Sequence, residues 1–519
     1  MIGTEIRVGI NYDEKAIRTE LENKLGEPYT GEYRILRREL DTSGEKVVYK
    51  LRIGITLDPY TEIRMCKKNL ARPCPVLTLN FKKSTLQSRP VVVGSGPCGL
   101  FAALALAESG ACPVVIERGE DVDKRKEKVA CFNNGGELDT ECNIQFGEGG
   151  AGTFSDGKLK HGATDAYNHR ILSEFVAHGA PEEILYDANP HVGTDLLSDI
   201  IKKIRQKIIS LGGEFRFGTK LSEIITKDGK VQGIRYVCRG KEGEIAADKV
   251  ILAIGHSARD TFLMLSKIGV AMEARGFGIG VRIEHPRRHI DRMVYGKHAD
   301  EIEQAASYHF VTHLKNGRSV YSFCMCPGGS VVAATSEYGA VVTNGMSCHA
   351  RNGANSNAAF LVSVFPEDFE NDPIKGLEFQ RKLEQRAFNI SGDYKAPAVL
   401  MGDFMEARAS AELGEVTPTY PRGVILPQPH EFLPEFIEKS LRDAIPDFEN
   451  YRKGFYYPDA VMTGIETRTT SPLRIIRNEK RETPAISGLY PCGEGAGYSG
   501  GIVSSAVDGL KTAEIILNL

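Results

Sequence analysis

Residues 88–119 read SRPVVVGSGPCGLFAALALAESGACPVVIERG and have the clearest structural pattern in the chain. An apolar run at 91–93 ends in a glycine-rich turn, a second apolar run covers 100–107, and a third apolar run, VVI, stands at 114–116. The pattern predicts strand, tight turn, helix and second strand, within the roughly thirty residues that a βαβ unit needs. We therefore expect a parallel sheet that begins here.

Three glycines in the first turn, Gly94, Gly96 and Gly99, have the GxGxxG spacing of a Rossmann-like dinucleotide-binding unit. The first permits the tight turn, the second lets backbone amides approach a pyrophosphate, and the third lets the helix pack closely on the strand. A diphosphate would then lie at the helix N-terminus. Proline fits there, since the first turn needs no N–H. An acid at the end of the second strand would accept hydrogen bonds from an adenosine ribose, and it argues against an NADP 2′-phosphate. The predicted contacts of the ADP half are Gly94, Gly96, Pro97, Gly99, Glu117 and Arg118.

The fingerprint is common to NAD and FAD proteins, but the rest of the chain favours FAD. Two further glycine clusters lie at 147–157 and, as LYPCGEGAGYSGG, at 489–501. An extended flavin needs its ribityl chain and ring lined by backbone amides from distant segments, which an NAD-only dehydrogenase does not obviously need. We expect non-covalent FAD. A plain NAD-dependent enzyme is an alternative that a yellow colour of the purified protein would eliminate.

Three signatures together resemble the glutathione-reductase-like superfamily of FAD proteins: the GxGxxG unit with its acid, the strand VILAIGHSA at 250–258, and the terminal LYPCGEGAG with the helix after it. More closely, GEGGAGTFSDGKL (147–159), SFCMCPGG (322–329), GIETRTTSPLRI (464–475) and GYSGGI (497–502) resemble a group of uncharacterised FAD-dependent dehydrogenases. The resemblance covers about residues 85–519. It is specific for FAD and says little about substrate.

The resemblance implies further cofactor contacts. Gly493 and Glu494 take the place of the usual glycine and aspartate at the ribityl chain, where the longer glutamate keeps an acceptor role. Helix N-terminal amides near Ile502 would face the pyrimidine end of the flavin, where negative charge accumulates on reduction. Lys158 is the nearest cation, with a solvent-exposed loop lysine as the equal alternative. The implied contacts are Gly149, Gly150, Gly152, Thr153, Lys158, Gly255, Gly493, Glu494, Gly500, Gly501 and Ile502.

Three residues are candidates for catalysis. His256 follows the strand 250–255 and could act as an acid or base, or simply be satisfied by backbone. Arg468 could bind a substrate carboxylate bidentately or hold the domain junction together, and we favour the first. Cys324 and Cys326 are predicted to be buried or flavin-facing thiols rather than a dithiol centre, because alternate side chains of an extended strand point the same way and the ring would be strained. Of the two, Cys326 is our candidate.

Composition excludes several classes. The chain has 519 residues, 41% hydrophobic and 26% charged, with a net charge of −3, so it is globular and has no basic excess for nucleic acid. The longest apolar run, 91–107, is broken by glycine and too short for a bilayer span. Eleven cysteines without a leader-like start favour free thiols in a reducing cytoplasm. Their spacings do not suit a zinc or iron–sulfur site, so no metal is expected.

The fold class we predict is α/β: a Rossmann-like FAD-binding domain with an inserted β-rich substrate or cap domain and a small N-terminal α/β domain. The boundaries are 1–84, 85–275, 276–462 and 463–519, the second and fourth segments forming the FAD domain. In the first domain we expect strands at 3–10, 33–40, 47–57 and 76–81 and a helix at 14–25. The glycines of GFGIGVRIE (276–284) predict a bent strand lining the cavity rather than a second nucleotide site.

The leading hypothesis is an FAD-dependent oxidoreductase that transfers hydride between flavin N5 and a small organic substrate, with NAD(P)H, if it is the donor, docking transiently. The alternative is a flavin-bearing redox sensor or RNA-associated module that binds through residues 1–84. Fast flavin reduction by a small substrate supports the first, and redox-dependent partner binding supports the second. The sequence does not determine the oligomeric state.

Overall fold

A computed structural model of the chain describes residues 1–74, 77–160 and 165–518. It is a mixed α/β protein, as predicted. Among its described helices, none is long and apolar enough to cross a membrane.

The N-terminal region forms a four-stranded antiparallel sheet in the order β2-β3-β1-β4. The Asp13 side chain caps its first helix, and Gly26 ends that helix in the left-handed conformation. The predicted helix at 14–25 is confirmed. The elements are β1 (Ile2–Gly9), α1 (Glu14–Leu25), β2 (Tyr33–Asp41), β3 (Val48–Ile55), α2 (Pro59–Lys67) and β4 (Arg72–Pro73).

The strand predicted at 76–81 is wrong for residues 77–81, and Val76 lies outside the described residues. The segment from 77 onward has no regular structure, and Leu79, Phe81 and Leu86 pack on the core of the next domain. Its alternating apolar residues therefore anchor a connection rather than extend a sheet.

The second region holds a five-stranded parallel sheet in the order β23-β11-β5-β6-β7, in which β23 (Leu489–Pro491) comes from the C-terminal segment. The segment between β7 and β11 forms a separate three-stranded antiparallel sheet, in the order β10-β9-β8. The elements are β5 (Val91–Val93), α3 (Pro97–Glu108), β6 (Val114–Ile116), α4 (Val122–Asn133), α5 (Ala166–Ala177), α6 (Thr194–Ser210), β7 (Glu214–Arg216), β8 (Thr219–Lys227), β9 (Lys230–Cys238), β10 (Lys241–Ala246), β11 (Val250–Leu252) and α7 (Arg259–Lys267).

The third region is built on a seven-stranded sheet in the order β14-β15-β18-β13-β21-β19-β20. Its elements are β12 (Met272–Ala274), β13 (Phe277–Pro286), α8 (Arg287–Tyr295), β14 (Val311–His313), β15 (Ser319–Cys326), β16 (Ser330–Ala333), β17 (Thr343–Met346), β18 (Asn355–Val364), α9 (Pro373–Ser391), β19 (Ala396–Leu400), α10 (Met401–Met405), β20 (Val424–Ile425), α11 (Pro429–Phe432), α12 (Glu435–Tyr451) and β21 (Val461–Glu466). GFGIGVRIE contributes most of β13, a central strand, and β21 runs through the predicted boundary at 462. None of residues 276–284 lines the ligand-sized cavity of the protein, so that part of the prediction is wrong.

The chain then returns to the parallel sheet through β22 (Leu473–Ile475), β23 (Leu489–Pro491) and α13 (Ile502–Leu517). Helix α13 packs against α3, where an added Cβ at Gly509 would lie 2.2 Å from the Cys98 carbonyl oxygen. The two helices are thus in close contact beside the carboxyl ends of β5 and β23.

Candidate functional site

One cavity of about 760 Å³ opens at the carboxyl ends of the parallel strands and continues to the seven-stranded sheet. Its volume lies within the range of about 300–1,000 Å³ usual for ligand pockets. Segments distant in sequence line it: the first glycine turn, the glycine-rich loop 145–158, the end of β11, the edge of β15, and the start of α13. The carboxyl ends of parallel strands are where α/β proteins bind nucleotides.

The first turn of the βαβ unit has the geometry that its glycines predict. Gly94 has φ +99°, and a Cβ there would lie 2.3 Å from the Ala253 carbonyl oxygen. A Cβ at Gly99 would lie 1.9 Å from the Gly94 carbonyl oxygen, so this glycine serves helix–strand packing and does not line the cavity. Gly96 does line it, and Pro97 is the first residue of α3.

Two helix N-termini face the cavity. Helix α3 begins at Pro97 and α13 at Ile502, after Gly500 and Gly501, and all four residues line the cavity. The unpaired amides and the dipole of a helix N-terminus favour anionic groups. The cavity therefore has two separate positions suited to negative charge.

Residues 276–469 match the family model "FAD-dependent protein, C-terminal domain-like". An uncharacterised protein of Clostridium beijerinckii is 50% identical over 436 residues, which cover 83% of this chain and 81% of that protein. The chain belongs to this family of FAD-dependent proteins. FAD is its cofactor, as the sequence predicts.

Solved structures are far more distant. A flavin-dependent brominase is 12% identical with a TM-score of 0.37, over 83% of this chain and 79% of its own. The E. coli quinol fumarate reductase subunit FrdA is 13% identical with a TM-score of 0.35, over 85% and 71%. Glycine oxidase from Bacillus cereus is 12% identical with a TM-score of 0.32, over 83% and 95%. Similarities of this size carry no argument about activity.

The cavity of this FAD-dependent protein fits its cofactor in chemistry as well as in size. An added Cβ at Gly96 would meet no protein atom closer than 3.7 Å, so the missing side chain leaves open space beside the helix N-terminus. The predicted FAD contacts that line the cavity are Gly94, Gly96, Pro97, Glu117, Arg118, Gly150, Gly152, Lys158, Gly255, Glu494, Gly500, Gly501 and Ile502.

Four predicted cofactor contacts do not line the cavity. Gly99 and Gly493 lie where two parts of the chain pack closely together. A Cβ at Gly493 would lie 2.8 Å from Cys98 Cβ. Gly149 and Thr153 belong to the glycine-rich loop but do not line the cavity. They lie close to each other, since a Cβ at Gly149 would lie 2.2 Å from Thr153 Oγ1. A glycine-rich sequence cannot distinguish a backbone that touches a ligand from one that packs against its own chain.

The Glu117 carboxylate already accepts four hydrogen bonds from the protein. One oxygen accepts from the Ser95 amide and hydroxyl, both at 2.9 Å, and the other from the amides of Gly119 and Gly147, both at 3.0 Å. The carboxylate therefore joins the first turn to the glycine-rich loop. Its predicted bond to an adenosine ribose stays a prediction, and such a bond would share these acceptors.

A buried arginine that the sequence analysis missed shapes the glycine-rich loop. Arg125, on α4, is fully buried and donates to the carbonyls of Asn143, Ile144, Gly147, Glu148 and Gly150 at 2.6–3.2 Å. Burial lowers its pKa to about 10, so it stays charged at neutral pH. Nothing in the polar sequence of α4 marks this arginine as different from its neighbours.

The Arg125→Met variant should lose about 1–3 kcal/mol of stability, because several buried carbonyls lose their donor. It should also bind FAD more weakly, since the loop it holds forms part of the cavity wall. Thermal unfolding of the FAD-free protein and FAD titration would measure the two effects. Lys126→Met, at an exposed position of the same helix, is the control. An unchanged melting temperature for Arg125→Met would contradict the expectation.

Arg468 lines the cavity, but its guanidinium is bound by protein groups. It pairs bidentately with Glu384 at 2.7 and 3.0 Å and donates to the hydroxyls of Ser336 at 2.6 Å and Ser257 at 3.2 Å. Arg259 of α7 binds the same carboxylate at 2.8 and 2.9 Å. These contacts favour the alternative, in which Arg468 holds together the junction between the cap sheet and the parallel sheet, and its substrate role stays a prediction.

His256 lines the cavity as predicted, with Nδ1 at 3.0 Å from the Ser257 hydroxyl. Burial lowers its pKa to about 4, and the charges of Arg468 and Arg259 act in the same direction. The imidazole is therefore neutral near pH 7. Its catalytic role stays a prediction, and a neutral ring would take part as a hydrogen-bonding group or weak base.

The Cys-x-Cys prediction is corrected in one respect. Cys324 lines the cavity, whereas Cys326 is fully buried behind it and does not. The two side chains differ because pairing of β15 with β18 shifts register between Phe323 and Cys326, and Cys324 has φ +42°. The premise of a regular extended strand fails at this bulge.

A second thiol pair, Cys98 and Cys492, also lines the cavity. The sulfurs of Cys98 and Cys492 are 3.0 Å apart, with Asp508 close enough to complete a three-residue group. However, the Asp508 carboxylate already pairs bidentately with Arg477 at 2.8 and 2.9 Å. That carboxylate is committed to a guanidinium, which leaves it poorly suited to a metal ion.

Proposed function

We propose that this FAD-dependent protein is an oxidoreductase that transfers hydride between flavin N5 and a small organic substrate held against the seven-stranded sheet. The observation that carries the proposal is the single cavity that joins the first glycine turn and the start of α13 to the cap residues Ser322–Met325. A cofactor that spans the first two positions leaves the third for a substrate. The glutathione-reductase-like dehydrogenase resemblance agrees with this arrangement.

Bound FAD supplies the hydride chemistry, and the chain supplies orientation and a site shielded from water. Tyr308, Phe323 and Met325 give the cap side an apolar wall. The Tyr308 ring stacks on Phe310 with centroids 4.8 Å apart, which fixes its plane. Lys158 pairs with Asp156 at 3.0 Å and donates to the Met325 carbonyl, so it ties the glycine-rich loop to the cap.

Two carboxyl groups in the cavity can hold a proton at neutral pH. Burial raises the pKa of Glu494 to about 8, and a charge on Cys324 acts in the same direction. Burial also raises the pKa of Glu466 to about 7, although Arg282 opposes this effect at 2.6 Å. A reaction that moves a hydride also moves a proton, and Glu494 is our candidate to donate or accept it.

NAD(P)H is proposed only as a transient donor. Among the described residues, the strand-turn-helix at 91–108 is the one whose GxGxxG spacing begins directly after the strand and ends inside the helix. We further propose a small molecule rather than a nucleic acid as the partner, and a cytoplasmic location in keeping with eleven free cysteines.

The first test is the absorption spectrum of the purified protein, followed by release of the cofactor with acid. We expect flavin absorption bands, released FAD rather than FMN, and bleaching when a substrate or NAD(P)H is added without oxygen. Each candidate donor is added separately, so the spectrum identifies which one reduces the flavin. Bound FAD that no small organic molecule or nicotinamide reduces would contradict the oxidoreductase proposal and leave the family assignment intact.

A further inference from the structure

The bulge in β15 places one thiol of the Cys-x-Cys pair in the cavity. Pairing with β18 is regular as far as Phe323, opposite Ala359, and resumes at Cys326, opposite Asn357. The chain between them turns at Cys324, whose φ is +42°. Cys324 is half-buried and lines the cap side of the cavity.

Two cations hold this bulge. Arg282 Nη1 donates to the Cys324 carbonyl at 2.9 Å, and Lys158 Nζ donates to the Met325 carbonyl. The Cys326 thiol also donates to the Cys324 carbonyl at 3.4 Å. A partly exposed cysteine in an electropositive surrounding is the usual setting of a reactive thiol.

The charges around Cys324 favour its ionised form. A hydrogen bond from Cys326, together with the charges of Lys158 and Arg282, holds the pKa of Cys324 well below its ordinary value, although burial and Asp156 oppose this. The pKa of Cys326 is raised instead, because it is the partner that keeps its proton. Of the two thiols, the one in the cavity is therefore the one that ionises first.

Glu494 is a second ionisable side chain at this position. Its side chain is partly exposed and lines the same cavity, and among the described residues no hydrogen bond contributes to its pKa. The charge on Cys324 contributes to its raised pKa. A carboxyl that holds a proton and feels the charge of the thiolate can supply that proton to a molecule lying between them.

We propose that Cys324 is a nucleophilic thiolate site that forms thioethers with small carbon electrophiles carrying a carboxylate. With an activated alkene, the sulfur bonds to one carbon, the π electron pair moves to its neighbour, and that carbon takes the proton of Glu494. Three cations, Lys158, Arg351 and the exposed Lys160, lie beside two anions at this cavity, Asp156 and the Cys324 thiolate. This excess of positive charge favours a ligand that carries a carboxylate. The proposal rests on the cap-side substrate position of the proposed function but not on hydride transfer.

Alkylation of the FAD-loaded protein tests it. Iodoacetate and iodoacetamide are compared between pH 5.5 and 9, and the rate at each cysteine is followed by peptide mass mapping. At pH 6, Cys324 should react at least tenfold faster than exposed Cys348, whose pKa is raised by burial and by Asp195. Iodoacetate should match or exceed iodoacetamide at Cys324 and lag behind it at Cys348. A slower Cys324, or one that disfavours iodoacetate as Cys348 does, would overturn the proposal.

The pH midpoint identifies the groups responsible. Those that act on the Cys324 thiol, or that share its side of the cavity, are Lys158, Asp156, Arg282, Cys326, Glu466 and Glu494. Lys158→Gln should raise the midpoint of Cys324 alkylation by about one pH unit or more, which is a tenfold loss of rate at low pH. Lys160→Gln should leave the midpoint in place and reduce only the preference for iodoacetate.

Two further controls keep the result interpretable. If Lys158→Gln fails to fold, the comparison of Cys324 with Cys348 in the unaltered protein decides alone. Because mass mapping needs no turnover, an unreactive Cys324 in a protein whose flavin is reduced by substrates contradicts only this proposal. A reactive Cys324 in a protein with inert flavin contradicts only the proposed function.

Discussion

Replacing Glu384 by glutamine should destabilise the protein by about 3–5 kcal/mol, since removing one partner of a buried ion pair leaves the other charge uncompensated. Glu384 is completely buried on α9, and its two oxygens bind Arg259 and Arg468, which are 2% and 3% exposed. Although burial raises its pKa, the two guanidinium groups hold that pKa well below the ordinary range. The variant leaves Arg468 without a carboxylate partner and Arg259 with the partly exposed Glu337 alone, and unfolding in urea measures the loss.

Glu337→Gln is the matched control. Glu337 binds Arg259 at 2.8 Å and Arg381 at 2.8 Å, but its side chain is 28% exposed. A pair that water can reach contributes about 0–1 kcal/mol. If the two variants lose equal stability, the buried junction is not the source of the effect.

The pH dependence of stability has a definite sign. A carboxyl whose pKa is lowered on folding contributes stability above its unfolded pKa of about 4.3, and that contribution falls as pH decreases through the folded value. The unaltered protein should therefore lose stability more steeply below about pH 4 than Glu384→Gln does. Parallel acid unfolding curves for the two proteins would argue that Glu384 is not ionised in the folded state.

The nucleotide side of this protein could be predicted from sequence because its signals are local. Gly94, Gly96 and Gly99 have roles set by backbone sterics within one turn, and Pro97 has a role set by the helix start. Strand β13 and helix α1 could be predicted for the same reason, because their apolar residues alternate or recur at helical spacing. These features depend on residues that are near neighbours in the chain.

The cap side could not be predicted in the same way, because its contacts join distant segments. Arg468 meets Glu384 across 84 positions, and Arg282 meets the Cys324 carbonyl across 42. Whether an arginine is free for a substrate depends on whether a partner is folded beside it, and no local pattern contains that information. The orientation of Cys324 depends on a single bulge, which reverses what strict alternation predicts.

Replacing Gly96 by alanine should weaken FAD binding by a hundredfold or more and leave the FAD-free protein folded. The backbone at Gly96 has φ −66° and ψ 179°, which alanine adopts without strain, and the added Cβ would meet no protein atom closer than 3.7 Å. The methyl group would instead project into the cavity at the N-terminus of α3, where the pyrophosphate has to approach the backbone. A hundredfold loss corresponds to about 2.7 kcal/mol of binding free energy.

Gly99→Ala separates binding from folding, because its Cβ would lie 1.9 Å from the Gly94 carbonyl oxygen and outside the cavity. That variant should lower the melting temperature of the FAD-free protein, whereas Gly96→Ala should not. FAD affinity is measured by fluorescence titration and folding by circular dichroism. If Gly96→Ala keeps full FAD affinity, the diphosphate does not lie at this turn, and the cofactor must occupy the cavity in another orientation.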